Sequence, residues 1–340
     1  MSALLDIKGL HVHFPVKKGL LQREKSYVKA LNGIDLQVQK GETLGIVGES
    51  GCGKSTLARS IVGLQQPTAG EILFHGKDYA EASAKELHDM RRNVQMIFQD
   101  PYTSLNPRMK IGDSVAAPLK AYKKTERLES RVKELLELVG LNPDTHYDKL
   151  PHEFSGGQRQ RVGIARALAL EPELLICDEP VSALDVSVQA QVINLLQDLQ
   201  KQLGLTYVFI AHDLSVINHL ADRVAVMYLG KVMEKSERGA FHTKVQHPYT
   251  QSLLSAVPVP DPVLERGRER IVLKGELPSP ANPPSGCVFH TRCPVATERC
   301  KTEVPALEPR GLSGQEVACF YPLGETQPLD VDAAKDPLYV

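Results

Sequence analysis

Short apolar runs rich in β-branched residues recur along the chain, as expected of strands buried on both faces of a sheet. These runs lie at 43–47, 94–99, 174–178, 206–213 and 224–229. Stretches with apolar residues at helical spacing follow several of the runs. They lie at 56–64, 126–139 and 187–203. The alternation predicts an α/β fold, and period-two patterns at 4–8 and 35–39 add half-buried strands near the N-terminus.

A glycine-rich loop joins the first of these buried strands to the helix that follows it. Its sequence, Gly48-x-x-x-x-Gly53-Lys54-Ser55, is the phosphate-binding loop pattern in the context that the mechanism requires. Glycines let backbone N–H groups point at phosphate oxygens, and the helix N-terminus adds unpaired N–H groups and its positive dipole end. Lys54 can reach the β- and γ-phosphates, and the Ser55 hydroxyl can ligate Mg²⁺. A purely structural glycine turn is the weaker alternative.

A second helix also begins behind glycines. The sequence Ser155-Gly156-Gly157-Gln158 precedes a helical pattern in which Val162, Ala165, Leu168 and Ala169 point inward. It forms a second potential phosphate site. One nucleotide does not need two such sites from one chain, so either the chain binds two ligands or the second site serves a neighbour's nucleotide.

Polar residues end three of the predicted strands. Asp178 and Glu179 end the run at 174–178, and such acids suit Mg²⁺ coordination and deprotonation of an attacking water. Two solvated loop acids are the weaker alternative. Gln99 and His212 end two further runs, where α/β sheets place ligand contacts.

Two aromatic residues flank a polar, basic stretch at 15–26. Phe14 or Tyr27 could stack on a nucleotide base, although an aromatic residue in an early strand is more often part of the core. The stretch itself is predicted to be a solvated loop in preference to a site for anionic headgroups.

Composition excludes several classes of protein. Of 340 residues, 42% are hydrophobic and 24% charged, and the formal net charge of −1 gives no argument for nucleic acid binding. No apolar run approaches the roughly 18 residues that span a bilayer, and the N-terminus lacks a signal-peptide core. The chain is therefore expected to stay in the cytosol, where six cysteines are not expected to form disulfides.

Four cysteines lie close together near the C-terminus. A proline-rich stretch, expected to be extended, leads to Cys287-x5-Cys293-x6-Cys300-x18-Cys319. Four thiolates suit an iron–sulfur cluster or a tetrahedral zinc, and free thiols are a third possibility. Residues 285–320 hold too few large apolar side chains for a core of their own, which favours a metal staple. Residues 324–340 are expected to be a loose tail.

Taken in order, the motifs resemble those of the ATP-binding-cassette (ABC) superfamily. They are Gly48–Ser55 (Walker A), Gln99 (Q-loop), Ser155–Gln158 (signature), Leu174–Glu179 (Walker B), Ser182–Asp185 (D-loop) and His212 (switch histidine). The signature is the specific element, and the match extends from residue 4 to about 235. Phe154 stands where a leucine is commoner, a conservative change.

The resemblance implies an α/β P-loop NTPase fold for residues 1–235. This ABC nucleotide-binding domain would have a RecA-like core, an antiparallel β-subdomain and a helical subdomain at about 100–168, which grips a membrane subunit. Residues 236–323 would form a small cysteine-rich C-terminal extension.

Residue roles carry over from the matching motifs. Ser55 and Gln99 would ligate Mg²⁺ with support from Asp178, Glu179 would polarise water and His212 would contact the γ-phosphate. Phe14 would stack on adenine, with Tyr27 as the alternative. The ATP phosphates would lie on Gly48, Glu49, Ser50, Gly51, Cys52, Gly53, Lys54, Ser55 and Thr56. The partner domain's ATP would lie on Ser155, Gly156, Gly157 and Gln158, with Asp185 in the D-loop.

Three further stretches resemble the ATPase subunits of bacterial dipeptide and oligopeptide importers. They are 98–107, 247–256 and 275–280. The resemblance implies a homologous D-type ATPase partner, two transmembrane permease subunits and a periplasmic peptide-binding protein, with the chain peripheral on the cytoplasmic face of the inner membrane. It also implies a [4Fe–4S] cluster on the four cysteines.

Other functions are less well supported. Soluble cassette proteins of DNA repair or translation usually carry two cassettes or long basic insertions, and this chain has neither. A regulatory module with secondary ATP turnover fits poorly with a complete catalytic set. Related importers carry nickel, glutathione, haem or antimicrobial peptides, so the transported solute stays open.

Overall fold

The computed structural model describes residues 3–18, 24–258, 266, 270–310 and 314–324. The chain divides into two compact units. The first consists of Met1–Val232 together with Pro278–Pro283, and the second of Met233–Leu277 together with Pro284–Val340. The chain therefore leaves the first unit and returns to it for the short stretch 278–283, named here the return segment.

The elements are numbered in chain order. The strands are β1 Leu5–Lys18, β2 Glu24–Val38, β3 Thr43–Val47, β4 Ala69–Phe74, β5 Lys77–Asp78, β6 Val94–Ile97, β7 Leu174–Asp178, β8 Thr206–Ile210, β9 Arg223–Tyr228, β10 Lys231–Glu237, β11 Glu308–Arg310 and β12 Gln315–Val317. The helices are α1 Lys54–Ile61, α2 Ala84–Asn93, α3 Ile111–Ala121, α4 Leu128–Leu138, α5 Pro143–His146, α6 Gly156–Leu168, α7 Val186–Leu203, α8 Leu214–Leu220, α9 Arg238–Thr243, α10 Pro248–Ser255 and α11 Glu298–Thr302. A 3₁₀ turn covers Pro151–Glu153.

A parallel sheet forms the centre of the first unit, with strands in the order β9-β3-β8-β7-β6. Every residue of β3, β7 and β8 is buried. Continuous apolar runs are what such doubly covered strands need, because neither face meets water. The sheet predicted from these runs is confirmed, and the carboxyl ends of β3, β6, β7 and β8 carry the polar residues singled out above.

An antiparallel sheet of the first unit has the order β2-β1-β4-β5. The solvated loop predicted at 15–26 is largely wrong, because β1 and β2 stay paired from Pro15 opposite Tyr27 to Lys18 opposite Glu24. Strand pairing uses backbone hydrogen bonds, so polar side chains at an exposed hairpin do not prevent it. The centre of the predicted loop, 19–23, lies outside the described residues.

The helical predictions hold where the apolar spacing was regular. In α4 the side chains of Val132, Leu135 and Leu136 are fully buried. In α7 Val192, Leu196 and Leu199 are buried, whereas Leu203 is 46% exposed in the last turn. Gly204 then adopts φ 66° and ends the helix, which agrees with the predicted end of the pattern at 203.

The second unit has a small antiparallel sheet, in which β12 pairs with both β10 and β11. Its core includes Tyr249 of α10 and Phe289, both fully buried with ring centroids 5.3 Å apart. Buried Glu234 accepts the backbone N–H groups of Gln246 and His247, which fixes the chain entering α10. The cysteine-containing segment therefore shares a core with α10, and it does not stand alone as its scattered apolar residues suggested.

Candidate functional site

The glycine loop after β3 has the backbone shape of a phosphate-binding loop. Gly48 has φ 152° and Gly53 φ 108°, and a Cβ at these positions would lie 2.1 Å from the Met227 carbonyl oxygen and 2.4 Å from that of Ala30. Glycine is needed at both positions because the neighbouring backbone is too close for any side chain. The loop then opens directly into α1 at Lys54, so the first N–H groups of the helix face the same space.

Lys54 spans the glycine loop. The side chain is only 5% exposed, and its Nζ donates to the carbonyl oxygens of Gly48 at 2.7 Å and Glu49 at 3.2 Å. These bonds hold the ammonium over the loop, and no carboxylate of the described residues forms an ion pair with it. A group held in this way is ready to bind an anion that enters the loop.

Ser55 and Asp178 are neighbours across the sheet edge. The Ser55 hydroxyl donates to Asp178 Oδ1 at 3.1 Å, and Asp178 is buried at the end of β7. Burial raises the pKa of Asp178, and the Ser55 hydrogen bond opposes that shift. A hydroxyl and a carboxylate oxygen at this distance are the hard donors that Mg²⁺ prefers, so the residues present fit that ion.

Glu179 is held by two residues from other strand ends. Its Oε2 accepts a 2.7 Å hydrogen bond from Gln99 Nε2 and lies 3.7 Å from Nδ1 of His212. The backbone of Glu179 has φ 47°, and its N–H donates to Ile210 at the end of β8. A left-handed conformation outside glycine costs about 1–3 kcal/mol and is typical of sites where a side chain must be aimed.

A cavity of about 260 Å³ joins these groups. Its lining consists of Val28, Ala30, Ser50, Gly51, Gly53, Lys54, Ser55, Thr56, Gln99, Glu179 and Pro280. The structure thus brings Lys54, Gln99 and Glu179 to one space, as the sequence predicted. Asp178 and His212 do not line the cavity. Asp178 accepts a hydrogen bond from Ser55, and His212 lies close to Glu179, so both contact residues of the lining.

Three residues of the lining were not found from the sequence. Val28 and Ala30 alternate along β2, and Pro280 comes from the return segment. The alternation in β2 was a usable signal, because residues two apart on a strand share a face. No sequence pattern around residue 280 indicates a cavity residue, because Pro280 reaches the cavity only in the folded chain.

The strand register separates the two aromatic candidates. Phe14 pairs directly with Val28, whereas Tyr27 pairs with Pro15. Directly opposed residues of an antiparallel pair place their side chains on the same face, and neighbours along a strand point to opposite faces. Phe14 therefore lies on the face of the hairpin that carries the cavity wall, and Tyr27 lies on the other face.

The second glycine motif caps α6 but does not reach the cavity. The Ser155 hydroxyl accepts the N–H of Gln158, and the Gln158 side chain accepts the N–H of Ser155, which is a capping box. Asp185 precedes α7 as its N-terminal cap residue and is exposed. None of the residues from Ser155 to Gln158, nor Asp185, lines the cavity that holds Lys54.

Gly157 has a packing role within this chain. A Cβ there would lie 2.4 Å from Cγ1 of Val188, so α6 and α7 approach too closely for alanine. We expect Gly157→Ala to lower the free energy of unfolding by about 1–3 kcal/mol through overpacking. Because the clash is with one methyl group, adding Val188→Ala should recover most of that loss. Urea denaturation of both variants measures the effect.

Gly163 supplies the matched control for this prediction. It lies in the same helix, and a Cβ there would meet no atom within 4 Å. Gly163→Ala should leave stability unchanged or raise it by up to about 1 kcal/mol, because alanine is the better helix former. If the effects of Gly157→Ala and Val188→Ala simply add, the steric explanation is wrong.

The four-cysteine metal site is a prediction that the structure overturns. Cys287, Cys293, Cys300 and Cys319 all line one small cavity of about 10 Å³, room for about one water. Over the described parts of the chain, which include all four cysteines, no group of three or more His, Cys, Asp or Glu side chains could hold a metal ion. Neither the [4Fe–4S] cluster nor the zinc alternative is supported.

Burial changes the acidity of two of these cysteines. It raises the pKa of Cys293 to about 12 and that of Cys319 to about 11, so both are neutral thiols at physiological pH. The segment is held by packing on α10 and β10, and the spacing of cysteines in the sequence gave no information on that burial.

The fold and the cavity together define a class of protein. A glycine loop between a buried parallel strand and a helix, an acid pair ending β7 and a second glycine-headed helix are the parts of an ABC ATPase. The ABC transporter family matches residues 31–182, and the family described as the oligopeptide/dipeptide transporter C-terminal region matches residues 233–300. The chain belongs to the ATP-binding subunits of the oligopeptide/dipeptide ABC transporter family.

Relatives and solved structures agree with that assignment. The oligopeptide transport ATP-binding protein AppF of Bacillus subtilis is 56% identical, covering 89% of this chain and 93% of the relative. OppF of Salmonella typhimurium, with the same description, is 54% identical over 94% of this chain and 96% of its own length. The dimeric ATP-binding cassette MJ0796, bound to ADP and Pi, has a TM-score of 0.60 at 30% identity, covering 69% of this chain and 98% of that one.

Among the helices that the structure describes, none has the length and apolar character to cross a membrane.

Proposed function

We propose that this chain hydrolyses ATP to energise import of di- or oligopeptides across the bacterial inner membrane. The observation that carries the proposal is a cavity lined by Lys54, Ser55 and Glu179, in a chain whose residues 233–300 match the peptide-transporter C-terminal region. The cavity includes an ammonium, a candidate Mg²⁺ hydroxyl and a carboxylate, which are the groups that phosphoryl transfer to water needs. Other solutes carried by related importers, such as nickel or glutathione, would use the same ATPase.

The residues act on ATP in distinct ways in this proposal. The glycine loop and Lys54 bind the β- and γ-phosphates, and Ser55, Gln99 and Asp178 hold Mg²⁺, which would offset charge on those phosphates. Glu179 takes a proton from water as the water oxygen attacks the γ-phosphorus, and the bond to the β–γ bridging oxygen breaks. Nδ1 of His212 lies 3.7 Å from the Glu179 carboxylate, and His212 is assigned to contact the γ-phosphate. Phe14 stacks on adenine.

A second ATPase subunit completes the site. Residues 155–158 and Asp185 do not line the chain's own cavity, which supports a head-to-tail dimer in which they contact the partner's ATP. We assign a homologous ATPase as that partner, and place the complex on the cytoplasmic face of the membrane. The helical subdomain at about 100–168, within a nucleotide-binding domain ending near 235, would grip one of two permease subunits. A periplasmic peptide-binding protein would deliver the substrate, and no nucleic acid is involved.

ATP turnover by the purified chain tests the composite site. We expect low turnover in dilute, monomeric samples and a rise of at least tenfold when the partner ATPase is added. Ser155→Arg should remove that rise and leave ATP binding at the Lys54 cavity within about twofold, because the substituted residue is distant from that cavity. Photolabelling of each subunit with a nucleotide analogue separates the two sites.

Two results would contradict the proposal. Full, saturable hydrolysis by a demonstrated monomer would rule out a composite site. Loss of labelling confined to the Ser155→Arg chain would rule out the head-to-tail assignment. Arg131→Ala is the control, since its guanidinium pairs with Glu134 and Glu171 on an exposed surface.

A further inference from the structure

The return segment forms a tight turn at the edge of the first unit. The Asn282 N–H donates to the Ser279 carbonyl oxygen at 3.0 Å, and the Ser279 hydroxyl accepts the N–H of Ala281 at 3.3 Å. Pro280 therefore occupies the second position of the turn, where its fixed φ is favourable. The proline ring is held in one orientation by the turn around it.

A backbone hydrogen bond fixes this turn to strand β2. The N–H of Lys29 donates to the Pro280 carbonyl oxygen at 3.0 Å. Among the strands that the structure describes, β2 is at the edge of its sheet, so this N–H has no partner strand on that side. The contact places Pro280 beside Val28, and both residues line the cavity that holds Lys54.

The cavity has two chemically different sides. One side consists of the glycine loop, Lys54, Gln99 and Glu179, which are polar, and the glycine loop and Lys54 suit phosphates. The other consists of Val28, Ala30 and Pro280, which are apolar. A nucleotide whose phosphates lie on the glycine loop is expected to direct its ribose and base to the apolar side, because the described residues of that side carry no charge.

We infer that Pro280, held against β2 by its carbonyl group, forms part of the base-and-ribose wall of the nucleotide site. The inference rests on the proposed function, since it assumes that the cavity binds ATP. It adds a binding residue that lies more than 200 positions beyond the glycine loop in sequence. The return segment is then part of the ATP site and not simply a connection between two parts of the second unit.

Comparison of two ligands tests the inference. Binding of Mg-ATP and of inorganic tripolyphosphate is measured by calorimetry on the full chain, in a Glu179→Gln background that prevents turnover. Pro280→Ala keeps the backbone carbonyl but removes two ring methylenes. We expect ATP binding to weaken about three- to fifteenfold, the scale of one to two methylenes removed from contact. Tripolyphosphate, which has no base or ribose, should change less than twofold.

Two further variants separate ring contact from backbone effects. Pro280→Val restores apolar volume and should recover ATP affinity to within about twofold of the parent. Pro283→Ala is the matched control, because Pro283 belongs to the same segment but does not line the cavity. It should leave both affinities unchanged, and thermal melting shows whether each variant is folded.

The outcomes are distinct. Unchanged ATP affinity in Pro280→Ala overturns the inference, and so does an equal loss for ATP and tripolyphosphate, which would indicate a distorted glycine loop. An equal loss in Pro283→Ala would assign the effect to the turn and overturn the inference as well. If the parent protein binds neither ligand, the proposed function fails first, and the inference fails with it.

Discussion

Glu179→Gln should lower ATP turnover by about 10²–10⁴-fold while ATP binding stays within about twofold. The amide has nearly the shape of the carboxylate, and its oxygen can still accept the 2.7 Å hydrogen bond from Gln99 Nε2. It cannot accept a proton from water at neutral pH. Because the left-handed backbone at residue 179 is unchanged, the side chain keeps its direction, and the loss is one of chemistry.

Steady-state hydrolysis by the complex with its partner subunit, together with nucleotide calorimetry, measures both quantities. Glu173→Gln is the matched control: it makes the same carboxylate-to-amide change at a residue that pairs with Lys40 and His75 away from the cavity. Its turnover should be unaffected. Hydrolysis by Glu179→Gln at more than half the parental rate would remove Glu179 from the role of general base.

Lys54→Ala should weaken ATP binding by about 10²–10⁴-fold. The buried ammonium donates to two carbonyl oxygens of the glycine loop. The same N–H groups can donate to the phosphates of a bound nucleotide. Hydrogen bonds from a charged donor contribute about 1.5–3 kcal/mol each, so losing two costs roughly 3–6 kcal/mol of binding free energy. That range corresponds to the expected change in affinity.

The measurement is calorimetry with Mg-ATP on the full chain, with melting temperature as the test of folding. Lys40→Ala is the control, because Lys40 is an exposed lysine that pairs with Glu173. An Lys54→Ala protein that is folded and binds ATP within fivefold of the parent would show that the glycine loop alone holds the phosphates. It would also end the assignment of Lys54 to the γ-phosphate.

Local patterns predicted the parts of this protein whose physics is local. Buried strands such as β3 and β7 need continuous apolar runs, and α4 needs a stripe at helical spacing, so both were visible in the sequence. The glycine loop was visible because Gly48 and Gly53 face backbone oxygens that exclude a side chain. The acid at 179 was predictable from its place at a strand end.

Other features depend on which distant segments meet, and the sequence did not show them. The β1–β2 hairpin extends through residues with no apolar alternation, because its stability comes from the backbone ladder. The cysteines were interpreted from their spacing, the apolar content of residues 285–320 and a family resemblance, whereas Phe289 packs on Tyr249 in a core that the segment shares with α10. Pro280 reaches the cavity only through the hydrogen bond to Lys29, which no pattern around residue 280 signals.

The return segment also bears on how such ATPases recombine. Residues 278–283 lie with the nucleotide-binding unit, while the chain on either side of them belongs to the other unit. A crossover between two paralogous genes at codons 233–277 would therefore combine the glycine loop, Val28 and Ala30 of one parent with the Pro280 position of the other parent. Exchange of the carboxy-terminal region between paralogues is consequently also an exchange of part of the nucleotide pocket, and a hybrid inherits its fit to ATP from both parents.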